Sequence, residues 1–416
     1  MARRLGEMEG YGRTGLIEPG AHQPPVTFWV PGELLTDSPT AVVEALARRG
    51  IRSRPNPESC AGLYRVEIED AELCGPLLAA DLNRVLGDEG FVGLNHVLTL
   101  AQVPKIGPGT DPEPVKEADW GCRPVELPED WRIAVVDTGL FKDAPAHLAA
   151  AAQEWELVDF DGGGIVDFSG TAHGGFIAGI IHRMLGVAPI LRDVATRDYL
   201  DWTFAITEAD IISDIEHVVR DPAVKIVNLS LGTYEIATDL AALRAKMRTW
   251  VKHRPDVLFV CAAGNDATEM PFYPAAFGVE KEFADHVVAV GALDCPPDAP
   301  DARADWAEFS NRGEWVTAKA PGVDHRSDYP ADVEFVYGPD QTAANPERAA
   351  FDGFALWSGT SFAAPYVAAE LIRFGLANGV TPREAWMKLR SGECPVAFPL
   401  DGGPCHDRSS PQQAGE

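Results

Sequence analysis

The chain has 416 residues, 46% hydrophobic and 24% charged, which is ordinary for a globular protein large enough for two or three domains. Its 63 acidic against 35 basic residues leave a formal charge of −28, which argues against nucleic acid or an anionic membrane as the main partner and favours neutral or basic peptides. No apolar run approaches a membrane span, and no apolar stretch follows Arg3 and Arg4 as a secretory signal would need, which points to the cytoplasm.

Residues 1–25 are polar and Gly-rich and read as a mobile tail. Residues 26–102 then read strand, helix, strand, strand, helix, strand. Val26–Val30 is a β-rich run. Pro39–Arg49 spaces Val42, Val43, Leu46 and Ala47 on one helical face, and Gly50 closes it. Ile51–Arg54 and Leu63–Ile68 read as strands, Leu77–Leu86 as a helix, and His96–Leu100 as a last strand. This βαββαβ order fits a small α+β, ferredoxin-like domain. Residues 103–130 are rich in Pro, Gly and acids, carry no period, and read as a linker.

From Trp131 the pattern changes. Continuous apolar runs at Ile133–Val136, Ile226–Leu229, Val257–Ala262 and Val287–Val290 alternate with helical stretches such as Ala209–Val219 and Leu240–Val251. Strands buried on both faces and alternating with helices predict an α/β, doubly wound, mainly parallel sheet over 131–393. In such sheets functional groups gather beyond the carboxyl ends of the strands. No internal repeat is evident, and residues 394–416 turn polar again and read as a tail. Cys60, Cys74, Cys122, Cys261, Cys295, Cys394 and Cys405 are dispersed, with no CxxC pair. That suits a reducing compartment and speaks against a zinc ribbon, although Cys394 and Cys405 could bridge a C-terminal loop.

Three segments carry chemistry. Ile133-Ala134-Val135-Val136-Asp137-Thr138-Gly139 is a strand ending in an acid. An aspartic protease also uses Asp-Thr-Gly, but it needs two carboxylates sharing a proton, and no second Asp-Thr-Gly or Asp-Ser-Gly exists here. Gly170-Thr171-Ala172-His173-Gly174-Gly175 places a histidine at a helix start, with small residues after it to let the helix pack closely. Ser358-Gly359-Thr360-Ser361-Phe362-Ala363-Ala364-Pro365 sets a serine at a loop-to-helix junction, where the helix dipole and the serine's own amide can serve an oxyanion. A different chemistry is suggested by Leu157-Val158-Asp159-Phe160-Asp161-Gly162, which resembles the nucleophile loop of haloacid-dehalogenase-type phosphatases. Such an enzyme would also need a later Lys and an acidic pair to hold magnesium.

Taken in order, the Asp-Thr-Gly, His-Gly and Gly-Thr-Ser-x-Ala-x-Pro segments resemble those of the subtilisin-like serine peptidases, the subtilases. Further echoes are Gly186-Val187-Ala188-Pro189, Asn228-Leu229-Ser230-Leu231-Gly232, Ala262-Ala263-Gly264-Asn265, Tyr273-Pro274-Ala275, Val288-Ala289-Val290-Gly291, Phe309-Ser310-Asn311 and Ala320-Pro321-Gly322. The similarity runs from about 131 to 391. It implies a serine endopeptidase with Asp137, His173 and Ser361 as catalytic triad and Asn265 in the oxyanion hole. It further implies a polypeptide substrate lying extended between Ser230, Leu231, Gly232 and Ala262, Ala263, Gly264. The domain over 26–102 is similar to the family's inhibitory propeptides, which would make it an intramolecular partner cut from the rest within 101–130. Alternatives are a permanent recognition module there, and a non-catalytic peptide-binding relative for the whole. The family's usual Thr two residues after the histidine is here Gly175, and 323–355 reads as an insertion. The calcium-site segments of secreted members are not recognisable, so no metal or cofactor is expected.

Overall fold

The computed structural model describes residues 12–13, 28–60, 62–87, 90–100, 112–116, 124–140, 144–149, 165–166, 172–194, 206–234, 240–301, 303–336, 348–390 and 396–399. Its front part holds β1 (Phe28–Thr36), α1 (Pro39–Ala47), β2 (Ser53–Cys60), β3 (Leu63–Ile68), α2 (Pro76–Leu86) and β4 (Val92–Leu100). The strands pair antiparallel in the order β4-β1-β3-β2. Alternation sends neighbouring residues to opposite faces of this sheet. Leu34 joins Val66, Leu82 and Leu94 in a core under α1 and α2, while its neighbour Leu35 joins the main core of the molecule. The last strand begins at Val92, before the expected His96, because Val92 and Leu94 are needed to complete that smaller core.

The larger part continues with β5 (Arg132–Asp137), α3 (His173–Leu185), β6 (Ile190–Asp193), α4 (Glu208–Val219), β7 (Val224–Leu229), β8 (Leu231–Tyr234), α5 (Ala241–His253), β9 (Leu258–Ala262) and β10 (Phe272–Tyr273). It ends with β11 (Val287–Leu293), β12 (Ala318–Pro321), β13 (His325–Val336), β14 (Arg348–Trp357), α6 (Thr360–Asn378), α7 (Pro382–Leu389) and β15 (Val396–Ala397). Seven strands form one sheet, β15-β12-β11-β9-β7-β5-β6, with every neighbouring pair parallel. β7, β9 and β11 are buried along their whole length, which is why they read as unbroken apolar runs. The fold is therefore α/β with a mainly parallel sheet. Among the described residues no helix is long and apolar enough to cross a membrane.

Two features join the parts. β4 packs on α4 and α5, with Gly93 facing Ala241 and Ala242 at the start of α5. The stretch 323–355 supplies the antiparallel pair β13–β14, against which the short strand Glu113–Pro114 pairs. So the described part of the period-free run between 103 and 130 includes a strand, Glu113–Pro114. β13 starts at His325, whose Nε2 lies 2.8 Å from the Pro321 carbonyl and whose ring sits near Phe362 and Tyr366.

His325 has a measurable consequence. Burial pulls its imidazole down to about 4. In the unfolded chain it would titrate near 6.5. Between those values the unfolded state binds the extra proton, so this stabilisation is whole above about pH 6.5 and drains away as pH falls toward 4. Denaturant unfolding should show about 2 kcal/mol of His325-linked stability lost between about pH 7.5 and about pH 5. His325→Gln should be less stable at the higher pH but should lack this part of the dependence. An unchanged pH dependence in the variant would refute the assignment.

Candidate active site

The carboxyl ends of three adjacent parallel strands, β5, β7 and β9, present Asp137, Ser230 and the Ala263-Gly264-Asn265 loop on one side of the sheet. Helices α3 and α6 pack against each other and bring their first turns to the same place, with His173 opening α3 and Thr360 and Ser361 opening α6. The approach of α3 depends on Gly174. A Cβ there would stand 1.9 Å from the Thr138 carbonyl oxygen, so no side chain fits. The Gly174 amide donates to Thr138 Oγ1 at 2.9 Å, tying the helix start to the turn after β5. Gly175, where the family usually has Thr, is buried in that first turn.

Asp137 and His173 are both buried. His173 Nδ1 lies 2.7 Å from Asp137 Oδ1, which also accepts from the Thr138 amide at 2.7 Å. A carboxylate on Nδ1 puts the proton there and leaves Nε2 as the basic nitrogen. Among the described residues, Nε2 and Asp137 Oδ2 make no hydrogen bond. The ring is held edge-on by Trp357 at 5.5 Å and flanked by Phe362 at 5.4 Å, both buried. Such an apolar collar stops the imidazole from turning away.

Ser361 Oγ donates to the Ser230 carbonyl at 3.3 Å, so the hydroxyl and the imidazole are not hydrogen-bonded in this state. Contact between a base and a serine is often loose without substrate. A second bond fixes the serine's backbone. Pro365 lies inside α6, four residues on from Ser361, and has no N–H to give the Ser361 carbonyl. Ser230 Oγ fills that gap, donating to the Ser361 carbonyl at 2.8 Å while accepting from Asn228 Nδ2 at 3.0 Å. The helix and the Ser230 turn are thus one hydrogen-bonded unit.

Asn265 is set just as firmly. Its Oδ1 accepts from the amide and the hydroxyl of Thr360, both at 2.9 Å, and Thr360 Oγ1 accepts from the Gly264 amide at 3.0 Å. With the amide oxygen turned to Thr360, Nδ2 must face the other way. Behind this loop, Asn311 Oδ1 accepts from the amides of Asp266 and Thr268, and its Nδ2 donates to the Ala263 carbonyl and to the Tyr234 hydroxyl. The Tyr234 hydroxyl in turn donates to Asp266 at 2.6 Å, and burial beside that carboxylate holds it well above the usual tyrosine range.

Residues 129–376 match the model of the subtilase family. The chain belongs to the subtilase family of serine proteases. It is 30% identical over 262 residues to the thermophilic serine proteinase of Bacillus sp. (strain AK1), covering 61% of this chain and 54% of that protein. It is 26% identical over 264 residues to thermitase of Thermoactinomyces vulgaris, covering 60% and 79% respectively. The chain thus spans about half the length of the Bacillus relative. Among solved structures it resembles fervidolysin from Fervidobacterium pennivorans, described as a keratinolytic enzyme related to subtilisin, with a TM-score of 0.55 and 19% identity over 90% of this chain and 61% of that one. At that identity the likeness concerns the fold.

For this subtilase, the residues singled out from sequence, Asp137, His173, Ser361, Asn265, Ser230–Gly232 and Ala262–Gly264, therefore come to one side of the sheet. The Asp159–Asp161 loop of the phosphatase reading lies outside the described residues, as do Cys394 and Cys405. No group of His, Cys, Asp and Glu suited to a metal occurs among the described residues. Sequence reasoning missed Thr360 as the clamp on Asn265, Trp357 as the wall of His173, and the Tyr234–Asp266–Asn311 network. Thr360 and Asn311 lay inside quoted motifs, so a motif signal existed for them. Tyr234, Asp266 and Trp357 stood outside or at the margin of any pattern.

Proposed function

We propose that this chain is a serine endopeptidase in which Asp137, His173 and Ser361 act as a triad. The observation that carries the reading is the buried Asp137–His173 pair, with Nε2 uncommitted beside the first turn of a helix that holds Ser361. A serine hydroxyl is a weak nucleophile until a base takes its proton. Ser361 would rotate from the Ser230 carbonyl to Nε2, lose its proton there, and attack the substrate carbonyl carbon. The Ser361 amide and Asn265 Nδ2 would receive the charge that develops on oxygen. His173 would then pass the proton to the leaving amine. Asp137 would hold the Nδ1 tautomer and steady the imidazolium. Water would release the acyl group by the same route in reverse.

Residues 26–102 would serve as an intramolecular cap, with 103–130 leading from it into a catalytic unit over 131–393. The strand order β4-β1-β3-β2 supports a ferredoxin-like cap. The end of β4 lies along the segment assigned to substrate. Thr99 and Leu100 pair antiparallel with Gly232 and Leu231, while Val97 and Leu98 pair with Thr207 and Ile206. An extended peptide held on both edges is how a bound polypeptide would lie. The cap is tied on by His96 Nδ1 at 2.6 Å from Glu208, by the Ala209 amide donating to Asn95, and by Arg65 with Asp210.

Two measurements test this reading. A fluorophosphonate probe should label the wild type and leave Ser361→Ala unlabelled. Intact mass should show the wild type cut within 101–130 and Ser361→Ala at full length. Absence of labelling would instead favour a peptide-binding relative without turnover, a reading that has the Ser361–Ser230 hydrogen bond on its side. A full-length wild type that labels would make the front domain a permanent module.

A further inference from the structure

We propose that Phe272 closes the slot beside the reaction centre, so that this site cuts after residues with small side chains: glycine, alanine or serine. The inference rests on the serine-peptidase reading above. In that reading the attacked carbonyl carbon must stand between Ser361 Oγ and Asn265 Nδ2. Its own Cα is one bond away, so the side chain of that substrate residue must leave between Ser230–Gly232 on one side and Ala263–Asn265 on the other. Two glycines line this slot, and side-chain-free backbone on both walls would ordinarily open room for a large group.

Here that room is taken. β10 pairs antiparallel with β8, setting Phe272 opposite Tyr234. The Phe272 ring is buried and reaches across the slot. A Cβ placed on Gly232 would be 2.5 Å and 2.8 Å from its Cε1 and Cζ atoms. One placed on Gly264, which has φ +93°, would be 3.2 Å and 3.3 Å from Cγ and Cδ1. One ring therefore touches the spaces left by both glycines. It is also anchored. Tyr234 packs against it with centroids 4.9 Å apart, and the Tyr234 hydroxyl is gripped by Asp266 and Asn311, the groups that also fix the loop carrying Asn265. Swinging the ring aside would break packing with a residue whose own hydrogen bonds are committed, so the slot stays shallow. The first small residue after β4 in the sequence is Ala101, which makes it a suitable point for self-cleavage.

The test uses the full chain and a matched pair of peptidyl phosphonate probes that differ only in carrying an alanine-like or a phenylalanine-like side chain next to phosphorus. Rates of Ser361 labelling are followed by intact mass, with the small fluorophosphonate as control. The wild type should react at least about tenfold faster with the alanine-like probe, the scale expected when a close-packed pocket must make room for a ring. Phe272→Ala should narrow or invert that ratio, and Phe272→Leu should fall between. Equal or faster labelling by the phenylalanine-like probe, or labelling by neither while the fluorophosphonate still reacts, overturns the proposal alone. Failure of the fluorophosphonate itself overturns the peptidase reading and this inference with it. The wild-type ratio decides the matter even if the variants do not fold.

Discussion

His173→Ala and Ser361→Ala are each expected to lower kcat on a peptide substrate by about 10⁶-fold, the scale established for the subtilisin triad. The double variant should be hardly worse than either single one. The reason lies in how the groups are coupled. The serine contributes only when the imidazole removes its proton, and the imidazole contributes only through that serine, so losing either removes the whole pathway. Asp137→Asn should cost less, about 10⁴-fold, by stabilising the wrong tautomer. In this chain Asp137 Oδ1 accepts from both the Thr138 amide and His173 Nδ1. An amide NH₂ turned toward Nδ1 would reverse the polarity of that contact. Steady-state kinetics on one peptide, with fluorophosphonate labelling as a count of competent serines, separates the three variants. A loss below about 10²-fold for Ser361→Ala would mean that another group attacks, because a single supporting donor already accounts for that much.

Asn265→Ala is the second large effect, a fall in kcat of about 10²–10³-fold with KM nearly unchanged. The donor matters in the transition state, where charge gathers on the carbonyl oxygen, and contributes little to a neutral ground state. What makes the expectation specific here is the double grip of Thr360 on Oδ1, which commits the oxygen end of the amide and fixes its plane before any substrate arrives. Such preorganisation costs no rearrangement at the moment of reaction. The separation of kcat from KM is the informative readout. A variant that raised KM and kept kcat would place Asn265 in substrate binding and remove it from the oxyanion hole.

Both expectations draw on a site whose parts differ in how visible they are along the chain. The apolar runs at Ile133–Val136, Ile226–Leu229 and Val287–Val290 announce buried parallel strands, since a strand covered on both faces has no reason to alternate. Asp137, His173 and Ser361 stand out because each sits in a short string of small residues at a strand end or helix start. Local backbone demands shape such strings: Gly174 must let α3 reach Thr138. Even the Pro365 that interrupts α6 is written in the motif.

Side-chain geometry is another matter, because it depends on which strands end up adjacent. The order β15-β12-β11-β9-β7-β5-β6 puts the ends of β5, β7 and β9 together, and nothing in their succession along the chain dictates it. That adjacency alone lets Ser230 satisfy the carbonyl that Pro365 leaves open and hold the Ser361 hydroxyl. It also brings Phe272 between Gly232 and Gly264, and pairs β13 with β14, from a stretch (323–355) legible only as an insertion, so that Trp357 at the end of β14 stands against His173. Periodicity and turn chemistry act over a few residues and so can be read in order. Contacts between groups 30 to 190 residues apart are set by the packing of the whole core, and for that reason the amino-acid sequence by itself determined the buried parallel strands and the candidate residues, while tertiary structure decided which hydrogen bonds they make and how much room they leave.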